Sequence, residues 1–166
     1  MPFTPFHMGP GMLIKSLLHG SFSLMIFGWS QILMDLQPLF AMITNEDKLH
    51  GFSHTFFGAS LIAIIAVLTG KHLSEFGLRI TGYSNSDKKP IKIFWFIAFF
   101  SAFIGTYSHV VLDAIMHSDV EPYYPFSITN NFLSILPVQL LHEFCIFSGV
   151  IGGGIFYYIQ YLWKSN

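Results

Sequence analysis

Residues 91–116 read IKIFWFIAFFSAFIGTYSHVVLDAIM, and this stretch decides the fold. Between Lys92 and Asp113 it contains no Asp, Glu, Lys or Arg. An apolar run of about 20 residues is what an α-helix needs to cross a bilayer. Its last turns nevertheless carry His109 and Asp113, and His117 follows four residues later. The stretch therefore predicts a membrane-spanning helix with polar groups gathered at one end.

Three further stretches have the same apolar character, and a shorter one precedes them. Together the four predict an all-α membrane bundle with spans at about 21–43, 52–70, 91–116 and 138–163. The segment GMLIKSLLHG near the start is too short to span and carries Lys15 and His19. We expect it to form an N-terminal interfacial or re-entrant helix. Residues 1–166 are thus expected to form a single membrane-embedded helical domain.

Composition agrees with a membrane protein. Of 166 residues 52% are apolar and only 10% are charged, whereas a soluble domain carries about 25% charged residues. The net charge of −1 gives no reason to expect a nucleic-acid partner. The single Cys145 excludes an internal disulfide. The first residues lack the basic segment of a signal peptide, so we expect the first hydrophobic segment to stay in the mature protein.

Basic residues predict the orientation in the membrane. Five of the eight Lys and Arg residues fall between the second and third spans: Lys71, Arg79, Lys88, Lys89 and Lys92. The positive-inside rule places this loop in the cytoplasm. Four spans then put both termini in the cytoplasm, in agreement with Lys15 and Lys164. The two other loops would face outward, and the polar stretch 84–90 is expected to be a mobile loop.

With that topology, most ionisable residues of the spans meet at one depth near the outer side. His109, Asp113 and His117 would follow one stripe of the third span, and His50 and His54 would share a face if the second helix began by His50. The remaining candidates are Asp35 in the first span and His142 and Glu143 near the start of the fourth.

A bound metal would explain polar groups at this depth. A carboxylate inside the membrane costs several kcal/mol (about 3 or more) unless it is paired, hydrated or bound to a cation. Neutral imidazole and carboxylate are common ligands of divalent metals. We therefore expect one to three divalent ions, with zinc as the expected metal, held by six candidate ligands: Asp35, His50, His54, His109, Asp113 and His117. Asp113 is the candidate to bridge two ions.

Several of these residues have plainer roles open to them. An isolated membrane histidine usually hydrogen-bonds a neighbouring helix, which is the expectation for His19 and His72. The plainer role for His117 is to cap its helix. His142 and Glu143 are adjacent, so at most one of them should face the site. His7 would join only if residues 3–20 dip into the membrane.

Four segments in order carry a family resemblance: FTPFHMGPG, MDLQPLF, HGFSHTFFGA and SHVVLDAIMHSDVEPYYPF. They resemble the YdjM-like family of bacterial inner-membrane proteins, described as membrane-bound metal-dependent hydrolases. That family is in turn distantly similar to zinc-dependent phospholipase C and related zinc nucleases. The resemblance implies location in a bacterial inner (plasma) membrane, and metal ligation by Asp35, His50, His109 and Asp113. His54 matches the nearer family alone.

Two positions depart from that family's pattern. The family's Pro-Asp-x-Asp segment is here Met34-Asp35-Leu36-Gln37, which lacks the second carboxylate. The family's arginine after the first histidine of the pair is here Gly51.

The favoured hypothesis is a metal-dependent hydrolase of a phosphoester on a lipid or lipid-linked substrate near the outer leaflet. Asp113 or Glu143 would act as general base. The alternative is a small transporter or an ion- or proton-handling protein that uses the same cluster. The lack of an internal repeat argues against a stand-alone carrier, although a homo-oligomer would weaken that objection. A third reading is an assembly partner with an incidental metal.

Overall fold

The computed structural model describes residues 4–82 and 89–165, and it confirms the predicted all-α fold. Its helices are α1 (Thr4–Leu18), α2 (Leu24–Thr44), α3 (Phe56–Ile80), α4 (Trp95–Met116) and α5 (Val138–Ser165). Lys88 and most of the predicted mobile stretch lie outside the described residues.

Contacts between the helices give their directions. The backbone N–H of Ser23 donates to Ser101 Oγ at 2.9 Å, and Asp35 lies beside His109 further along both helices. Helices α2 and α4 therefore run parallel. Helix α3 runs the opposite way, because the indole of Trp29 in α2 donates to Thr69 near the middle of α3 at 2.8 Å, while the start of α3 lies at the end of α4.

The N-terminal helix packs along α5 in the same direction. A Cβ on Gly9 would lie 1.9 Å from the carbonyl oxygen of Cys145, and one on Gly152 would lie 2.5 Å from the nitrogen of Leu13. Glycine is needed at both positions because the two backbones touch. The five helices thus alternate in direction, and α1 is a full member of the bundle.

This order of helices bears on the predicted topology. Helices α1 and α5 both start at the end of the bundle where α4 finishes, so Thr4 and Ser165 lie at opposite ends. The physical reason is that α1 packs along α5 in the same direction.

Four helices are long and apolar enough to cross a membrane: Leu24–Thr44, Phe56–Ile80, Trp95–Met116 and Val138–Trp163. Their outer faces expose large apolar side chains, including Phe96 (76%) and Phe147 (60%). Such faces suit hydrocarbon and not water. The protein is therefore a membrane protein. The buried seam between α2, α3 and α4 is built largely from small side chains, which let the helices approach closely: Ala63, Ala66, Ala98 and Ala102.

Helix α3 begins later and ends later than the predicted span. Residues 52–54 form a single 3₁₀ turn, and Thr55 caps the helix by accepting the N–H of Gly58 on its hydroxyl at 2.9 Å. At the other end an ion pair between Lys71 and Glu75, four residues apart, supports continuation to Ile80.

Two loops close the end of the bundle where the polar residues lie. The carboxylate of Asp119 accepts backbone N–H groups of Leu49 and His50 at 3.2 and 3.0 Å. The N–H of Phe56 donates to the carbonyl of Pro122 at 2.8 Å. These bonds fasten the loop before α3 to the loop after α4, and so position the histidines that the loops carry.

Candidate metal centre

Asp113 lies at the centre of a group of histidines near the end of α4. Its Oδ2 atom is 3.1 Å from Nε2 of His54 and 3.1 Å from Nε2 of His109. Nε2 of His50 lies 4.0 Å from the same oxygen. Among the described residues, every ion-pairing partner of Asp113 is a histidine. A buried carboxylate with this surrounding is a typical metal ligand.

Asp35 completes the group from α2. Its Oδ1 atom lies 3.2 Å from Nε2 of His109. One ligand atom from each of Asp35, His54, His109 and Asp113 lies within 4.8 Å of every other. Three of these side chains are buried, whereas the side chain of Asp35 is 33% exposed. The group is therefore closed on three sides and open beside Asp35.

Three distances between these ligand atoms, 3.1, 3.1 and 3.2 Å, are slightly shorter than the spacing around a tetrahedral metal. With bonds of about 2.0–2.2 Å, neighbouring ligand atoms around zinc are about 3.3–3.6 Å apart. The buried Nε2 atoms of His54 and His109 make no hydrogen bond within the described part of the chain, although each is close to a carboxylate. Buried polar atoms without a hydrogen-bond partner are rare and require an explanation. A cation bound among the four side chains would accept the lone pairs of both Nε2 atoms and would neutralise the charge of the carboxylates.

The orientation of His109 depends on Gln31, one turn before Asp35. The Gln31 amide nitrogen donates to the carbonyl of Gly105 at 2.9 Å, so its oxygen faces Nδ1 of His109, at 2.5 Å. Nδ1 must then carry the hydrogen, and the lone pair is left on Nε2, which faces Asp113. Glycine at position 105 lets α2 and α4 approach this closely, because a Cβ there would lie 2.0 Å from Ser30 Oγ.

His54 is held by the 3₁₀ turn that precedes α3. Its Nδ1 atom lies 2.8 Å from the hydroxyl of Ser53, and the backbone N–H of Ser53 donates to Gln37 Oε1 at 2.8 Å. The Gln37 amide nitrogen lies 1.9 Å from where a Cβ on Gly51 would be. Gln37 and Gly51 are therefore in contact, and the side chain of Gln37 fills the space beside Gly51.

His50 lies in a loop before α3, so it does not share a helical face with His54, contrary to the expectation from their spacing. The rings of His50 and His54 are nevertheless in contact, with their centroids 4.8 Å apart. The Nδ1 atom of His50 donates to both oxygens of Asp119 at 2.9 and 3.0 Å, which turns Nε2 towards Asp113. A carboxylate behind a histidine is the usual support for a metal-binding imidazole.

His117 is the first residue beyond α4, where its N–H donates to the carbonyl of Asp113 at 2.8 Å. Its ring stacks on His50 with centroids 4.4 Å apart, and His50, His117 and Asp119 form a second group of candidate ligands. Partial burial lowers the pKa of His117, which favours the neutral ring that can bind a metal. Burial alone would raise the pKa of Asp119, but hydrogen bonds from His50 outweigh it and lower that pKa.

His7 reaches the group from α1. Its side chain is buried, its Nε2 atom lies 3.6 Å from Asp113 Oδ1, and Nδ1 lies 3.2 Å from Nδ1 of His109. Like His54 and His109, it has an Nε2 atom without a hydrogen-bond partner in the described residues. His7 therefore joins the site because α1 enters the bundle.

The two candidates on α5 are placed at the margin of the group. The ring of His142 lies 5.0 Å from that of Phe6 and is half-buried. Glu143 accepts a hydrogen bond from Gln139 at 3.0 Å on the surface of α5. Within the described residues, no ion pair or hydrogen bond joins Glu143 to Asp113 or to its histidines.

Sequence reasoning missed Gln31, Ser53 and Asp119, which orient three of the histidines. Gln31 precedes Asp35 by one turn in a segment that is otherwise almost apolar, and this spacing was a usable signal. Asp119 could not be assigned in the same way, because its contact with His50 joins two loops that are distant in sequence.

Compared with known proteins, the chain matches no protein-family model, no curated protein and no solved structure. By its fold and its site, the chain is an α-helical membrane protein with a buried His/Asp group that could hold a metal ion.

Proposed function

We propose that this chain is a membrane-bound metal-dependent hydrolase that acts on a phosphoester of a lipid or lipid-linked substrate. Zinc is the proposed metal, with Asp35, His54, His109 and Asp113 as its ligands. His50 and His117 extend the proposed ligand set, as does His7. The proposal agrees with the resemblance to the YdjM-like family.

The observation that carries the proposal is the position of Asp113 Oδ2, which lies 3.1 Å from two buried, unpartnered imidazole nitrogens. At membrane depth, an aspartate surrounded by neutral imidazoles would carry an uncompensated charge, at a cost of several kcal/mol (about 3 or more). A divalent cation supplies the missing charge and explains why the Nε2 atoms point at the carboxylate without hydrogen-bonding to it.

Hydrolysis would use the open side of the group. Zinc held by these ligands would lower the pKa of a coordinated water to about 7 and would stabilise negative charge on the phosphoryl oxygens. The partly exposed carboxylate of Asp35 borders this side and would orient the attacking water. The water oxygen forms the new P–O bond, the ester P–O bond breaks, and the alkoxide takes up the proton that the water loses. Asp113 or Glu143 is the proposed base; Asp113 is the nearer to the histidines.

A transporter or ion-handling protein is less compatible with the arrangement of the core than a hydrolase is. A transporter needs polar groups through the whole membrane depth. Below the histidines, the described seam between α2, α3 and α4 holds the small polar side chains of Ser30 and Ser101 among apolar ones such as Ile26, Ala63, Val67 and Ala98. The polar group is therefore confined to one end of the bundle, as suits a site that faces one leaflet.

We propose the bacterial inner membrane as the location, with the basic loop between α3 and α4 in the cytoplasm and the metal centre towards the outer leaflet. The support is the concentration of basic residues in that loop. Cysteine labelling from outside intact cells tests this orientation. Ser118→Cys in the loop beside the site should react with a membrane-impermeant maleimide, and Gly82→Cys in the loop after α3 should not. The reverse pattern would contradict the orientation.

The metal itself is tested by elemental analysis of protein purified without chelator, beside the His109→Ala/Asp113→Ala double variant. We expect at least about one zinc per chain in the unchanged protein and loss of it in the variant. The loaded protein is then assayed for release of phosphate or of a phosphorylated headgroup from lipid phosphoesters. No bound metal in the unchanged protein would overturn the proposal, and metal without turnover would favour an assembly role.

A further inference from the structure

An apolar groove runs along the outside of α1, where this helix meets α5 and the start of α2. Its volume is about 490 Å³, and its walls include Phe6, Met8, Met12, Leu24, Cys145 and Val150. Gly9 and Gly149 both line the groove, and a Cβ on the second glycine would lie 3.3 Å from Cα of the first. Two helices that touch through glycines leave a channel between their larger neighbours.

The groove has one end beside the metal centre. Phe6 forms that end, and the next residue, His7, reaches to 3.6 Å from Asp113. From there the groove follows α1 for about 9 Å to Met12, at 1.5 Å per residue. It therefore leads from beside the polar group towards the opposite end of the bundle, along α1 and the candidate spanning helix α5.

This position decides the chemistry of the occupant. Val150, at the rim, is 68% exposed on the outer face of a spanning helix, so hydrocarbon and not water has access to the groove. The candidate ligands begin one residue beyond Phe6, at His7, and a cation bound by that group would attract an anionic head. A molecule that fits both parts has one apolar chain and an anionic head.

We propose that the groove holds one hydrocarbon chain of a lipid whose phosphate-bearing head lies at the metal centre. The assignment of that lipid as the substrate rests on the proposed hydrolase function. Chain binding itself depends only on the groove. The groove would then select substrates by the shape of one chain and would orient the head towards Asp35 and Asp113.

The test is native mass spectrometry of the metal-loaded protein in detergent, titrated with dioleoyl phosphatidic acid. Two variants fill the groove from different helices, Met12→Trp and Val150→Trp. Leu68→Trp is the matched control, since Leu68 is a lipid-facing residue of α3 that is 55% exposed and lies outside the groove. Metal content and melting temperature are measured for each variant.

We expect saturation at one lipid per unchanged chain and binding that is weaker by about tenfold or more in both groove variants, since a few excluded methylenes suffice for this change. Leu68→Trp should bind like the unchanged protein, and metal content should be equal in all four. Unchanged binding in folded groove variants, or binding that never saturates, would overturn the assignment of the groove as a lipid site. Saturable, groove-dependent binding to a chain without metal would support the groove as a lipid site and would overturn the proposed hydrolase function.

Discussion

Gln31 and His109 form a fixed pair between α2 and α4, with Gln31 Oε1 2.5 Å from His109 Nδ1. Because the other end of the same amide donates to the Gly105 carbonyl, the amide cannot turn over without losing a bond. One neutral residue therefore determines which nitrogen of His109 is free to bind a metal. Such supporting bonds commonly decide metal affinity as strongly as the ligands themselves.

Replacing Gln31 with Leu should weaken zinc binding by about 10- to 100-fold, because the ring of His109 would lose its support. The variant should also lose about 1–3 kcal/mol of stability, since Nδ1 stays buried without its acceptor. Competition titration with a chromogenic zinc chelator gives the affinity. Gln139→Leu is the control, because Gln139 lies on the exposed start of α5 and bonds only Glu143 in the described residues. Equal affinity in both variants would contradict the role of Gln31.

Removing the metal should lower the melting temperature of the unchanged protein. A ligand that binds only the folded state at 100 times its Kd stabilises it by about 2.7 kcal/mol. We expect a drop on treatment with a strong chelator and recovery when zinc is restored. The His109→Ala/Asp113→Ala variant should not respond to either addition. A melting temperature that stays constant while elemental analysis shows metal loss would indicate a metal that does not contribute to the fold.

Replacing Asp119 should reduce stability and zinc affinity more than replacing Glu121, although both are carboxylates of the same loop. Asp119 accepts two backbone N–H groups and the ring of His50, whereas Glu121 pairs with the exposed Lys48 at 2.8 Å. We expect Asp119→Asn to lose about 1–3 kcal/mol at neutral pH and to bind zinc about tenfold or more weakly. Glu121→Gln should change stability by less than about 1 kcal/mol.

The pH dependence of the Asp119 effect has a definite sign. Hydrogen bonds from His50 outweigh the opposing effect of burial and lower the pKa of Asp119, so folding favours the ionised carboxylate. Its contribution to stability is fully present above the unfolded pKa of about 3.9 and is lost as the pH falls below that value. The difference in unfolding free energy between the unchanged protein and Asp119→Asn should therefore shrink in acid. A difference that grows as the pH falls through this range would contradict the lowered pKa.

The parts of the fold that sequence predicted are those that depend on local patterns. The length of each apolar run predicted the four spanning helices, and the spacing of His109 and Asp113 placed both on one face of α4. Polar residues at a similar depth in adjacent helices of a bundle are brought together by the topology alone. For that reason the positions of polar residues within the apolar runs were enough to predict that Asp35, His54, His109 and Asp113 lie near one another.

The parts that sequence did not predict depend on contacts between distant segments. His7 reaches the site only because α1 lies against α5, and that packing depends on glycines at matching heights of two helices. The spacing of His50 and His54 suggested a shared helical face, but the cap at Thr55 delays the start of α3 and leaves His50 in a loop held by Asp119. Hydrogen bonds across loops leave no periodic trace in a sequence.

The contact between α1 and α5 can be tested with two adjacent glycines. A Cβ on Gly152 would lie 2.5 Å from the backbone nitrogen of Leu13, whereas one on Gly153 meets nothing within 4 Å. Gly152→Ala must push the two backbones apart, an overpacking that costs about 1–3 kcal/mol. Gly153→Ala should be neutral or slightly stabilising, because alanine is the better helix former. Since α1 carries His7, only Gly152→Ala should also reduce zinc affinity, and equal melting temperatures for the two variants would show that α1 does not pack against α5 in this way.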